Sequence, residues 1–271
     1  MGSALIRGLI RSGEIAEEQI ILHNRSKDKL EALKKTYSSL SIAANNREVA
    51  SRSDILFLCV RPMQFADVLQ ETNHLLRPEQ ILVSVTSSVS IEALEERLIC
   101  KVLKIIPSIT NAVGAGACIV FPGSRLSASD MKQLLHLISH FGKPMITDEQ
   151  YTRITSDLSS CGPAFVSFFL EELAKSATAQ TGIPKEQAIE LVEQMLIGMG
   201  KLLQEEQLTL ASLRERVCVP GGITLQALQV LQQEMDGCFD NLIRFTQAKF
   251  SQDVARANQM FDSWDKKKRT P

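Results

Sequence analysis

The chain is 271 residues long, 44% hydrophobic and 23% charged, with a formal net charge of −1. That length holds one large or two ordinary domains with real cores, and the mixture is that of a globular chain, not a disordered one. A net charge near zero argues against a nucleic-acid surface, and no stretch approaches the roughly 20 apolar residues of a membrane span.

In chain order, Met1 leads directly into an amphipathic helix to Arg11, with no signal peptide expected. Ile20-Ile21-Leu22-His23 reads as a short buried strand, followed by Asn24-Arg25-Ser26 and a helix over 27–35. A weak strand at 42–44 and a short helix at 46–51 repeat the unit. The run Asp54 to Val60 is a strong strand, then 63–76 is helical. Strands at 81–85 and 102–106 flank a helix at 91–98. Ala117 to Phe121, a helix over 128–141 and a strand over 144–147 close the set. Uninterrupted apolar runs alternating with amphipathic helices predict an α/β domain, a doubly wound parallel sheet covered on both faces, over residues 1–147.

From about Asp148 the pattern becomes helical throughout. Long helices are predicted over 151–180, 185–206, 208–217 and from Gly237 to Trp264, making 148–271 an all-helical domain. Phe165, Phe168, Phe169 and Leu173 are too many apolar groups for one flank of a helix in so small a domain. A partner subunit is the expected cover. The basic run Lys266-Lys267-Lys268-Arg269 reads as a solubilising end.

The six cysteines contain no CxxC pair, so reduced core thiols and a cytoplasmic setting are expected. His136 and His140 are spaced i, i+4, but no third ligand accompanies them and no metal site is predicted.

Ligand chemistry is expected beyond the carboxyl ends of the parallel strands. After the second strand of such a fold, an NAD site presents a carboxylate to the ribose. Here Asn24-Arg25-Ser26 offers a cation and a hydroxyl instead, suited to a 2′-phosphate. A surface arginine ahead of a capped helix is the plain alternative. Val60-Arg61-Pro62, Thr86-Ser87-Ser88 and Ile106-Pro107-Ser108 end three further strands on the same side. The opening strand and most of the G-x-G-x-x-G loop are absent, and Gly2 reads as its third glycine. The expectation is a start placed about ten residues downstream of the natural one, truncating the first strand.

Val219-Pro220-Gly221-Gly222-Ile223-Thr224 sits between two predicted helices. The glycines let backbone approach a ligand, and Thr224 places a hydroxyl beside free N–H groups at a helix start. That makes a carboxylate pocket; an interhelical turn with a capping threonine is the simpler reading.

Taken together these segments resemble, in order and over essentially the whole chain, the pyrroline-5-carboxylate reductase family. Gly2 matches the end of its glycine loop and Asn24-Arg25-Ser26 its 2′-phosphate loop, while Asn46 fits an asparagine facing the cofactor's adenosine half. Leu58-Cys59-Val60-Arg61-Pro62 resembles L-A-V-K-P, and Ile106-Pro107-Ser108 with Val113-Gly114-Ala115-Gly116 resembles M-P-N…V-G-x-G. Leu158 to Phe165 resembles L-S-G-S-G-P-A-Y, and Val217 to Thr224 resembles V-x-S-P-G-G-x-T. Within the family the chain looks most like the divergent branch that bacilli encode with late-competence genes.

The resemblance implies a Rossmann-like domain binding NADPH, or NADH, followed by a helical domain forming a homodimer or higher assembly. The implied reaction reduces the C=N of a cyclic imino acid. Thr224 would orient the substrate; Gly221, Gly222, Ile223, Val219 and Cys161 would line its site. Gly2, Asn24, Arg25, Ser26, Asn46, Val60, Arg61, Pro62, Ser87, Pro107 and Ser108 would hold the cofactor. The chain departs from the pattern at Ser108 (asparagine in the family), Ser160 and Cys161 (glycine and serine) and Val219 (serine). A weakly active or inactive dimeric regulator that keeps the fold is the rival reading. A hydroxyacid dehydrogenase would want a lysine near the start of the first long helix, whereas Lys175 lies far along it.

Overall fold

The computed structural model describes residues 1–269, with side chains through Ser263; Trp264 and the basic run from Lys266 to Arg269 lie outside the described side chains. The elements run α1 (Gly2–Arg11), β1 (Ile21–Leu22), α2 (Lys27–Thr36), β2 (Ser41–Ile42), α3 (Asn46–Arg52), β3 (Ile55–Leu58), α4 (Phe65–Thr72) and β4 (Ile81–Ser84). They continue α5 (Ile91–Glu95), β5 (Lys101–Ile106), β6 (Ala117–Pro122), α6 (Ala128–Ser139) and β7 (Lys143–Ile146). The rest is helical: α7 (Thr152–Ser156), α8 (Gly162–Thr181), α9 (Lys185–Glu205), α10 (Leu210–Val217), α11 (Ile223–Glu234) and α12 (Cys238–Arg269).

The strands form two ladders, a parallel β1–β2 pair and a five-stranded sheet in the order β3-β4-β5-β6-β7. Strands β3, β4 and β5 are parallel neighbours. The sheet is mostly parallel, as expected, and one strand departs from this: β6 runs antiparallel to β5 and parallel to β7. The reason is loop length. Only about ten residues join β5 to β6, fewer than a parallel crossover needs, so the chain doubles back. That short link contains a 3₁₀ turn (Ile109–Val113) ended by Gly114 at φ 72°, a left-handed conformation that glycine adopts without strain.

Alternation along the strands divides the core between two faces. Leu82, Val102, Ile106, Ile119 and Phe121 pack under α3, α4 and α5, together with Ala257 and Phe261 of α12. Ile81, Val83, Leu103, Ile105, Cys118 and Val120 face the other way, against Leu5 and Leu9 of α1 and Leu134 and Ile138 of α6. Burial on both sides is why these strands read as unbroken apolar runs. Helix α1 comes unusually close to the β5–β6 link. A Cβ on Gly8 would lie 2.4 Å from the Asn111 carbonyl oxygen and 2.6 Å from Phe141 Cβ.

The single helix predicted over 151–180 is interrupted. A π-helical turn, Asp157–Cys161, separates α7 from α8. Buried Asp157 accepts a 2.7 Å hydrogen bond from Thr246 Oγ1 and pairs with Arg153 at 2.8 Å, while Ser159 Oγ donates to the Thr155 carbonyl. These contacts hold one extra residue in the turn.

Two compact units result: Met1–Gly162 with the chain from Thr246 on, and Pro163–Phe245. In the second unit Leu170, Ala174 and Ala188 are buried, yet Phe168 is 65% and Ile197 51% exposed. A helical surface this apolar has the character of an interface.

Candidate functional site

The parallel strands β3, β4 and β5 bring their carboxyl-end turns to one edge of the sheet. After β3 come Cys59 and half-buried Val60, then Arg61, whose side chain is exposed; Pro62 opens a 3₁₀ turn, and the Arg61 N–H donates to Gln64 Oε1 at 3.3 Å. Gly2 meets this edge: a Cβ there would sit 3.4 Å from Cys59 Cβ, so helix start and strand end are in contact. Helix α1 has no side-chain cap and no acid in its first turn, leaving its N–H groups for an anion.

After β4, the turn Thr86-Ser87-Ser88 is mostly buried, and the Ser87 carbonyl accepts a 2.9 Å hydrogen bond from Lys104 Nζ. After β5, Pro107 and Ser108 are buried. Ser108 is committed to the local turn. Its N–H donates to Asn111 Oδ1 at 2.7 Å and its hydroxyl accepts from the Thr110 N–H at 3.4 Å. Asn111, fully buried, also donates to the Ala115 carbonyl at 2.9 Å, closing the loop from inside.

Beyond β1, Asn24 Oδ1 accepts from the Ser26 N–H at 2.9 Å, which turns the chain into α2. Ser26 is the N-cap residue, yet its hydroxyl makes no capping bond, and Arg25 stands exposed beside it. A hydroxyl and a guanidinium at the head of a helix are donors a phosphate dianion wants, though the first turn of α2 also carries Asp28, an acid that works against an anion there. Asn46 is less available. Its Nδ2 donates to Glu71 Oε2 at 2.8 Å, while Asn45 is the residue that caps α3.

In the helical unit, the Gly222 N–H donates to the Val219 carbonyl at 2.9 Å across Pro220 and Gly221. Gly221 has φ 74°, the left-handed position that follows proline in a type II turn. A Cβ on Gly222 would approach Val219 Cγ2 to 2.7 Å and the Val219 carbonyl oxygen to 3.0 Å, so the second glycine relieves crowding in the turn. Gly222 then caps α11 with extended backbone, without a side-chain cap and with no acid in the first turn. The N–H groups of the first turn from Ile223 on stay open to an anion, beside half-buried Thr224, whereas the Gly222 N–H, expected as a further donor, is taken up by the Val219 carbonyl. Val219 and Ile223 are 60% and 84% exposed. Half-buried Cys161, at the end of the π-helical turn, accepts a contact from Arg153 at 3.2 Å.

Burial pushes the Cys100 thiol up to about 11 and Cys118 to about 12, so neither is a nucleophile at neutral pH. No group of three or more His, Cys, Asp or Glu side chains is arranged for a metal among the described residues, and no helix there is long and apolar enough to cross a membrane. Sequence reasoning passed over Lys104, Asn111 and Gly8. The available signals were a lysine inside the apolar run Val102 to Ile106 and a glycine in the middle of α1.

Residues 149–253 match the profile for pyrroline-5-carboxylate reductase dimerisation, and residues 1–88 that for NADP oxidoreductase, coenzyme F420-dependent. The chain is 33% identical to ComE operon protein 4 of Bacillus subtilis (strain 168), over 96% of both chains. It is 30% identical to the pyrroline-5-carboxylate reductase of Escherichia coli (strain K12), covering 86% of this chain and 87% of that one. A pyrroline-5-carboxylate reductase structure from Coxiella burnetii superposes with TM-score 0.78 at 25% identity, over 95% of each chain. With two relatives matched this far along their length, the chain belongs to the pyrroline-5-carboxylate reductase family of NAD(P)-dependent oxidoreductases.

Proposed function

We propose that the protein is an NADPH-dependent reductase that delivers hydride to the C=N carbon of pyrroline-5-carboxylate or a related cyclic imino acid. The observation that carries this reading is the uncapped start of α11 behind the Pro220-Gly221-Gly222 turn, with Thr224 beside it. The backbone N–H groups of Gly221 and Ile223 hold the substrate carboxylate, that of Gly222 being engaged within the turn, and Thr224 orients its polar end. A ring iminium is already polarised, so positioning and charge stabilisation carry the rate. NADPH, when bound, supplies the hydride. Arg25, Ser26 and the head of α2 hold its 2′-phosphate and favour it over NADH. Gly2 at the head of α1, with Val60, Arg61, Pro62, Ser87, Pro107 and Ser108 on the sheet edge, lines the rest of the cofactor crevice.

We assign cofactor binding to residues 1–147 and substrate binding with dimerisation to 148–271. The exposed apolar helices of the second unit support a homodimer or a larger symmetric assembly. All six cysteines are free thiols, in keeping with a cytoplasmic setting.

One observation favours a second reading, a dimer that binds NADPH without useful turnover. The Ser108 N–H donates into a local turn and its hydroxyl accepts there, and Val219 offers no hydroxyl to the pocket edge. The deciding experiment is NADPH oxidation with pyrroline-5-carboxylate as substrate. Sustained turnover establishes the reductase; NADPH binding without oxidation establishes the regulator.

A further inference from the structure

Strand β5 carries two lysines, Lys101 at its start and Lys104 among apolar neighbours, and Lys104 is buried. The Lys104 side chain is 2% exposed in the middle strand of the five-stranded sheet. Its register places it opposite Ser84 of β4 and Phe121 of β6, on the α5 face between Val102 and Ile106. A buried ammonium is costly unless its donors are met. Here Nζ donates to the Ser87 carbonyl at 2.9 Å and to Glu149 Oε1 at 2.9 Å, and lies 5.6 Å from the centroid of the Phe121 ring. Burial pushes the Lys104 ammonium down, and the Glu149 carboxylate acts against that shift.

The partners matter more than the pairing. Ser87 is the centre of the turn that leaves the carboxyl end of β4. Glu149 Oε1 also accepts the N–H of Ile91, the first residue of α5, at 3.0 Å. One ammonium and one carboxylate therefore tie together the turn after β4, the start of α5 and the segment after β7. A buried ion pair is a poor source of net stability, since apolar residues of similar volume often serve as well or better. What an apolar residue could not supply is a donor fixing the Ser87 carbonyl.

We propose that Lys104 is a positioning residue: braced by Glu149, it holds the Thr86-Ser87-Ser88 turn in the conformation that receives the nicotinamide half of the cofactor. This rests on the reductase reading, which assigns that turn to the cofactor crevice. Lys104 touches neither substrate nor cofactor in this account; it acts through Ser87.

The test uses the full chain with Lys104→Met, Lys104→Arg and Glu149→Ala. Each is titrated with NADPH and with adenosine 2′,5′-bisphosphate, a probe of the Arg25–Ser26 half alone, and each is melted. The expected result for Lys104→Met is a loss of about 10-fold or more in NADPH affinity, with affinity for the bisphosphate held. Lys104→Arg should recover most of it. Should Lys104→Met fail to fold, Glu149→Ala, altered at a side chain one-third exposed, should show the same selective loss. Equal NADPH affinity in the variants and the unaltered chain overturns the assignment. So does parallel loss of both ligands in step with the melting temperature, which marks a purely structural lysine. Failure of the unaltered chain to bind NADPH at all overturns the cofactor reading itself, and this assignment with it.

Discussion

Replacing Gly8 by alanine tests whether α1 is locked against the link between β5 and β6. The added methyl would sit 2.4 Å from the Asn111 carbonyl oxygen and 2.6 Å from Phe141 Cβ, both closer than carbon tolerates. Neither neighbour is a flexible side-chain tip: one is backbone, the other the root of a buried ring. Helix or loop must shift, and overpacking of this kind costs about 1–3 kcal/mol. Alanine's better helix propensity returns about 1 kcal/mol at most. With two unyielding neighbours the cost falls in the upper half of that range, so the net expectation is a loss of about 1–2 kcal/mol, a fall of roughly 2–8 °C in melting temperature for a chain of this size. Urea unfolding followed by circular dichroism measures it directly. Because Asn111 also holds the Ser108 N–H, NADPH affinity should fall as well. A variant as stable as the parent, or more so, would show that propensity alone governs the site and refute the close-packing argument.

Four other outcomes are expected. Thr224→Val should lower kcat/KM for the cyclic imine by about 10²-fold while leaving NADPH affinity unchanged, read by steady-state kinetics alongside cofactor titration. Arg25→Ala should weaken NADPH binding by about 10-fold and NADH binding little, so an equal loss for both would remove Arg25 from the 2′-phosphate site. Val219→Ser, at a side chain 60% exposed, should leave the melting temperature unchanged and raise kcat/KM several-fold; no gain would mean the pocket is tuned to valine. Asp130 accepts from Lys101 Nζ at 2.7 and 2.8 Å and from Ser127, which holds its carboxyl at about 2. A carboxylate depressed in the folded state adds stability above its unfolded value of about 4, lost as pH falls through about 2. Asp130→Asn should therefore lose on the order of 1 kcal/mol near neutral pH and nothing at the acid end, compared by urea unfolding at each pH.

The doubly wound half was legible because its strands are buried on both faces, and a run such as Ile55 to Leu58 then carries an unbroken apolar signal. The π-helical turn was not. One residue added to a helix shifts the apolar period too little to register, and its cause is a contact between Asp157 and Thr246, remote in sequence. The reversal of β6 was readable in principle from its short link to β5, but strand direction leaves no mark on hydrophobic pattern. On the site, the glycine turn at 220–222 announced itself through proline and glycine chemistry, and Asn24-Arg25-Ser26 through its missing carboxylate. Asn46 looked like a cofactor contact, and only the fold reveals its bond to Glu71. Lys104 stood in plain view, yet its meaning depends on Ser87 and Glu149, which only the folded sheet brings to it.

Isotope transfer tests the central claim most directly. Incubating the full chain with pyrroline-5-carboxylate and NADPH deuterated at the reactive ring carbon, then weighing the product by mass spectrometry, follows the hydride itself. The account predicts one deuterium per product molecule, on the former imine carbon, at turnover on the order of 1–10³ per second. Bound NADPH with no deuterated product would contradict it and leave a cofactor-binding protein that is not a reductase of this substrate.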